Sequence, residues 1–124
     1  AQPAVEGCQI ADFRLPIGHH NGSSTALYWS KLKPGEVHHR HRLDRCEELY
    51  YVISGQGVAG VGAERMALRG GHVHYIPKGA ERFIANASRT ETLDVIGLYI
   101  GAGSLAETGY VYAGQVGPGE LGAG

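Results

Sequence analysis

The sequence predicts an all-β domain, a sandwich or barrel, on three observations. Runs rich in Val, Ile, Tyr and Thr recur at short intervals, glycine and proline punctuate them, and no stretch sustains the 3.6-residue apolar period of a helix. Twenty glycines among 124 residues suit a fold made of many tight corners.

Residues 1–22, with Pro3, Pro16 and Gly18, read as an arm. Within it, Gln9 to Leu15 is extended, partly apolar and without an obvious partner, so exchange of this strand between protomers, and hence a homodimer, is expected. Strands follow at 26–33, 48–54, 57–61, 65–68, 72–76, 82–86 and 92–100. Turn signals divide them: Pro34-Gly35, Ser54-Gly55-Gln56-Gly57, Gly62-Ala63, Gly70-Gly71 and Pro77-Lys78-Gly79. The alternation of Tyr110 and Tyr112 fits an edge strand or an interface, and closes a single domain over 23–113. The tail, 114–124, carries five glycines and is expected to be mobile.

With 43% hydrophobic residues the chain can bury one core and is too short for two ordinary domains. A net charge of −1 leaves no basic footprint for nucleic acid, and no apolar run is long enough to span a bilayer. The sequence opens on Ala1 rather than Met, a start that ordinary processing, a trimmed tag or a removed leader would each produce. Two cysteines, Cys8 and Cys46, make neither a disulfide framework nor a C-x-x-C metal spacing, so a reducing cytoplasm is the expected location.

Chemistry concentrates in Pro34-Gly35-Glu36-Val37-His38-His39-Arg40-His41 and in the run that Glu48 opens. On an extended strand His39 and His41 share a face, and Glu48 can return antiparallel beside them. Two imidazoles and a carboxylate suit a first-row divalent metal with open positions. The plain alternative is a solvated Arg- and His-rich loop. His38 faces the other way and reads as a surface residue, and Glu47 is a rival to Glu48 one position away.

These residues resemble the first motif of the cupin family, G-x5-H-x-H-x3,4-E-x6-G. Glu48 and Gly55 fit its second half, whereas three residues separate Gly35 from His39 and six separate His41 from Glu48. Downstream, Gly71 to Asn86 resembles the second motif, G-x5-P-x-G-x2-H-x3-N, at every fixed position except one: Arg82 stands where the fourth metal ligand, a His, would be. The resemblance covers positions 25 to 100 and implies a double-stranded β-helix, the jelly-roll barrel of cupins.

Arg82 offers only donors and stays protonated, so it cannot ligate a cation. Three arrangements are open to it: it clamps an anionic substrate beside the metal, it pairs with Glu48 and abolishes the metal site, or it turns away. His72 and His74 share a face with Ile76, and if that face is inward His74 can supply a fourth ligand. Otherwise it is a satisfied histidine at a strand end. Tyr50 shares a face with Glu48 and Val52, placing its hydroxyl as an acid or donor. Tyr28, Trp29, Phe83 and Tyr99 read as packing residues, and Cys46 as an unreactive thiol.

The resemblance implies first a small enzyme, with one divalent transition metal (Fe, Zn, Ni or Mn) on His39, His41 and Glu48, and with Tyr50, Arg82 and His74 serving catalysis. Its substrate would be a small, anionic or enolisable metabolite. Iron would support a dioxygenase, and the other metals Lewis-acid isomerase, lyase or cyclase chemistry. The defective second motif favours a second reading, a binding module that senses a small molecule, and a third is a metal-free, epimerase-like cupin working by His and Tyr acid–base chemistry.

Overall fold

The structure, a computed structural model, describes residues 5–121. Two five-stranded antiparallel sheets face one another. The first orders its strands β1 (Asp12–Ile17), β2 (Ala26–Leu32), β9 (Leu93–Ile100), β4 (Glu47–Ser54) and β7 (Val73–Ile76). The second runs β10 (Tyr110–Gly114), β3 (Val37–Leu43), β8 (Arg82–Ala85), β5 (Gln56–Val61) and β6 (Glu64–Arg69). Period-two alternation builds the core. Along β9, Leu93, Val95, Gly97 and Tyr99 are buried and their neighbours less so, and along β4 the buried set is Glu48, Tyr50 and Val52. Leu32, Val52, Leu93, Val95 and Ile76 from the first sheet meet Leu43, Ala59 and Leu68 from the second.

Two glycines are required by this geometry. Gly55 turns β4 into β5 at φ +92°, a conformation an L side chain rarely adopts. Gly97 lies under the Tyr28 ring, where a Cβ would come within 2.4 Å of it.

Two expectations for the chain change. The Gln9 to Leu15 segment is not left for a neighbour: β1 pairs with β2 of its own chain, Phe13 opposite Ser30 and Arg14 opposite Trp29. The tail does not stand free as far as Leu121. Val116 is buried and Leu121 packs beside it against Val37, Val58, Phe83 and Ala85, so residues 115–121 cover the outside of the second sheet. Residues 1–4 and 122–124 of the expected arm and tail lie outside the described residues. The strand at 110–114 is an edge strand, as the tyrosine alternation suggests, and joins β3.

Candidate functional site

The decisive local feature is a β-bulge in β3. His38 lies opposite Ile84 and His41 opposite Arg82, so three steps along β3 match two along β8. The extra residue breaks the alternation. His38, His41 and Leu43 point into the barrel, while His39 and Arg40 both point out. His39 Nδ1 accepts a hydrogen bond from the Val116 N–H at 3.0 Å, and Arg40 bonds to Gln115 O and pairs with Glu120 and Glu81. The expectation that His39 and His41 share a face therefore fails, and so does the reading of His38 as a surface residue. The His38 and His41 rings stack, with centroids 3.8 Å apart and planes 9° from parallel.

Glu48 and Arg82 form a buried ion pair, Arg82 Nη1 donating to Glu48 Oε1 at 3.0 Å with both residues under a tenth exposed. Tyr28 donates to the other carboxylate oxygen at 2.6 Å. The rest of the guanidinium is anchored by backbone: Nε donates to Ala80 O at 2.9 Å and Nη2 to Pro77 O at 3.2 Å. Of the three arrangements open to Arg82, the structure shows the pair with Glu48. Burial pushes the Glu48 carboxyl up, and the Arg82 charge and the Tyr28 hydrogen bond hold it partly back.

Tyr50 points inward beside Glu48 but turns its hydroxyl to His74 Nδ1, 2.6 Å away. His74 sits on the inward face with Ile76, directly opposite Tyr50 across β4 and β7. It does not line the cavity that His38 and His41 line, so it is not brought to them as a further ligand. His72 is exposed and its Nδ1 accepts from the Arg69 N–H. Glu47, the rival of Glu48, takes the Tyr75 hydroxyl at the sheet surface.

The inward histidines open onto a cavity of about 300 Å³ bounded by Cys8, Ile10, Phe13, Leu43, Tyr99 and Tyr110. His38, His41, Ile10, Phe13 and Tyr99 also border a smaller chamber of about 40 Å³ that reaches Ser30, Glu48, Tyr50 and Arg82. Ser30 Oγ is buried there with no hydrogen-bond partner. The hydrogen bonds assign both tautomers. His41 Nδ1 lies 2.8 Å from His39 O, a group that only accepts, so the proton is on Nδ1 and Nε2 is free. Tyr110 donates to Glu6 O, so His38 Nε2, 3.1 Å from that hydroxyl, donates to it and leaves Nδ1 as the acceptor. Burial pulls the His41 imidazole down to about 3, and burial with the neighbouring His41 and Arg82 holds His38 well below its ordinary range. Both rings are neutral at pH 7.

This arrangement does not fit a metal. A ring nitrogen binds along a lone pair in the ring plane at about 2.0–2.1 Å, and two parallel rings 3.8 Å apart share no such point. Both Glu48 oxygens are already bonded, one of them to a fixed cation. No three His, Cys, Asp or Glu side chains among the described residues are placed to hold a metal ion.

Two facing sheets, with His38 and His41 lining a cavity and Glu48 and Arg82 lining the smaller chamber next to it, define a small double-stranded β-helix protein. The chain belongs to the cupin family, whose domain model matches residues 28–96. A cupin-like protein from Thermotoga maritima superposes with a TM-score of 0.74 at 19% identity, covering 96% of this chain and 94% of that one. A DMSP lyase from Ruegeria pomeroyi gives 0.72 at 17%, over 94% and 61% of the two chains. A predicted oxalate decarboxylase from Thermotoga maritima gives 0.59 at 24%, over 66% and 70%. At these identities the likeness speaks for the fold. Among curated proteins none matches.

The inward residues also correct the register of the first cupin motif. Read as Gly35-x5-His41-x-Leu43-x4-Glu48-x6-Gly55, every spacing is regular, and Leu43 holds the place of the second histidine. The signal was the five-residue gap after Gly35, which the richer His38-His39 pair obscured. Leu43 and Arg82 thus occupy two of the family's four ligand places, and His41 and Glu48 the others.

Proposed function

We propose that this chain is a metal-free cupin that binds a small, uncharged and largely apolar molecule carrying an O–H or N–H donor. The observation that carries the reading is the Glu48–Arg82 pair, which, with Leu43, fills the place of a metal centre with a self-satisfied polar floor. The cavity volume lies at the low end of those that hold small organic ligands. Its walls are mostly apolar, and each of the two imidazoles that border it keeps an unprotonated ring nitrogen, which accepts and does not donate. Among the described residues no Lys or Arg borders the larger cavity, and Arg82 is bound on three sides, so an anionic substrate clamp has no free cation there.

A second reading, acid–base catalysis without metal, has one observation in its favour: His41 presents a free Nε2 to the same space that holds Glu48 and the unpartnered Ser30 hydroxyl. A base held near 3 is far from the working range of a general base at neutral pH, which favours binding over turnover. The metal-dependent enzyme expected from His39, His41 and Glu48 would need the rings to unstack and Arg82 to withdraw.

Two measurements test the proposal together. Metal analysis of protein prepared without an affinity tag should find far less than one divalent ion per subunit, and one ion per subunit would overturn it. Titration with alcohols of six to ten carbons and their matching carboxylates should show the alcohols binding more tightly. Preference for the carboxylates would refute the donor requirement.

A further inference from the structure

We infer that the small chamber beside the stacked histidines is the socket for the hydroxyl of a primary alcohol, and that Ser30 is the residue that selects it. The inference rests on the reading of this chain as a metal-free binder and narrows the donor group it takes. Strand β2 turns Ala26, Tyr28, Ser30 and Leu32 inward, all of them buried. Tyr28 donates its hydroxyl to Glu48. Ser30 is 3% exposed, and its Oγ is the buried side-chain N or O atom left without a hydrogen-bond partner among the described residues. Packing does not ask for a hydroxyl here. Ser30 lies between Phe13 and Val95 on the neighbouring strands, where an alanine would leave no polar atom to satisfy.

The chamber holds the complement of this hydroxyl. Ser30 borders it from the first sheet, and His41, with its unprotonated Nε2, borders it from the second. The charged floor is already engaged, since Arg82 is bonded to Glu48, Ala80 O and Pro77 O, and Tyr50 to His74. The two walls thus offer a donor, the Ser30 O–H, and an acceptor, His41 Nε2. An alcohol meets both through one oxygen, donating to His41 and accepting from Ser30. An ether or ketone oxygen accepts from Ser30 and leaves His41 unmet, and a pyrrole-type N–H does the reverse. A carboxylate would bring a charge to a place where the Arg82 charge is taken.

Size selects the kind of alcohol. At about 40 Å³ the chamber has room for a water-sized group or two, which a hydroxyl and its own carbon fill and a ring or branched carbon exceeds. Ile10, Phe13 and Tyr99 border both the chamber and the cavity of about 300 Å³, so a chain attached to that carbon continues into apolar space. Tyr99 carries the rival hydroxyl and enters the test for that reason.

The test is isothermal titration of the full chain at pH 7 with three isomers: a straight-chain primary heptanol, hexyl methyl ether and a tertiary alcohol of the same formula. Wild type, Ser30→Ala and Tyr99→Phe are compared. We expect wild type to bind the primary alcohol about tenfold more tightly than either isomer. Ser30→Ala should weaken the primary alcohol about fivefold and leave the tertiary alcohol, which stays in the larger cavity, unaffected. Equal binding of the three isomers to wild type overturns the inference. So does a Ser30→Ala variant that keeps the preference, or a preference lost in Tyr99→Phe alone. Either of those results with the primary alcohol still bound by wild type removes this inference and leaves the proposed function standing, whereas failure of all three isomers to bind removes both. Should Ser30→Ala fail to fold by circular dichroism, the order of the isomers on wild type decides alone.

Discussion

Replacing Arg82 by methionine removes the cation beneath the cavity and keeps most of the side chain's volume. Three hydrogen bonds are lost, to Glu48, Ala80 O and Pro77 O, and Glu48 is left buried with only the Tyr28 hydroxyl. Breaking a buried pair by removing one partner costs about 3–5 kcal/mol, largely because the remaining charge is uncompensated. Adding Glu48→Gln should therefore recover about 2 kcal/mol or more, since glutamine removes the charge and still accepts from Tyr28. The assay is urea denaturation at pH 7 of the wild type, both single variants and the double. The pH dependence has a definite sign. In Arg82→Met the Glu48 carboxyl, already pushed up by burial, loses the charge that held it back, so the folded state binds its proton more readily than the unfolded one and the deficit shrinks as pH falls. A single-variant cost under about 1 kcal/mol, or strictly additive effects in the cycle, would refute the account of the floor.

Stability should also fall as pH drops from about 6.5 toward 3, because the unfolded chain takes up the His41 proton in that window and the folded chain, with His41 held near 3, does not. His41→Phe should flatten this part of the profile in denaturation curves, whereas a slope unchanged by the substitution would mean that other groups set it. Leu43→His with Arg82→His should supply the family's four ligand types alongside His41 and Glu48 and raise divalent-metal content toward one per subunit. Arg82→His alone should not, because Leu43 still stands in a ligand place, and elemental analysis separates the two cases. Gly97→Ala should destabilise by about 1–3 kcal/mol, since its methyl would meet the Tyr28 ring at 2.4 Å, and calorimetry showing no loss would contradict that packing.

The strand pattern was readable because a period of two and glycine turns act locally. Each strand expected between residues 26 and 100 is present, with bounds shifted by a residue or two at most ends. The facing of β3 was not readable, since alternation presumes an unbroken ladder and the bulge is imposed by pairing with β8 across forty residues of chain. The same limit hid Leu43, an ordinary apolar residue whose meaning comes only from standing where a ligand would. Arg82 could be singled out from its motif, but choosing among its three arrangements needed the carbonyls of Pro77 and Ala80, which the turn at 77–79 aims at it. The tail deceived through composition: its glycines suggested freedom, and Val116 anchors it.

The bulge makes this pocket responsive to chain length in a way that no side-chain replacement reproduces. Removing Arg40 as a residue would leave one outward position between His38 and His41, restore a regular ladder against β8, and set the two imidazoles about 7 Å apart along the strand. Face-to-face contact would give way to separate rings with independent lone pairs. A single codon gained or lost in β3 can thus redirect the chemistry of the cavity while every surrounding side chain keeps its identity.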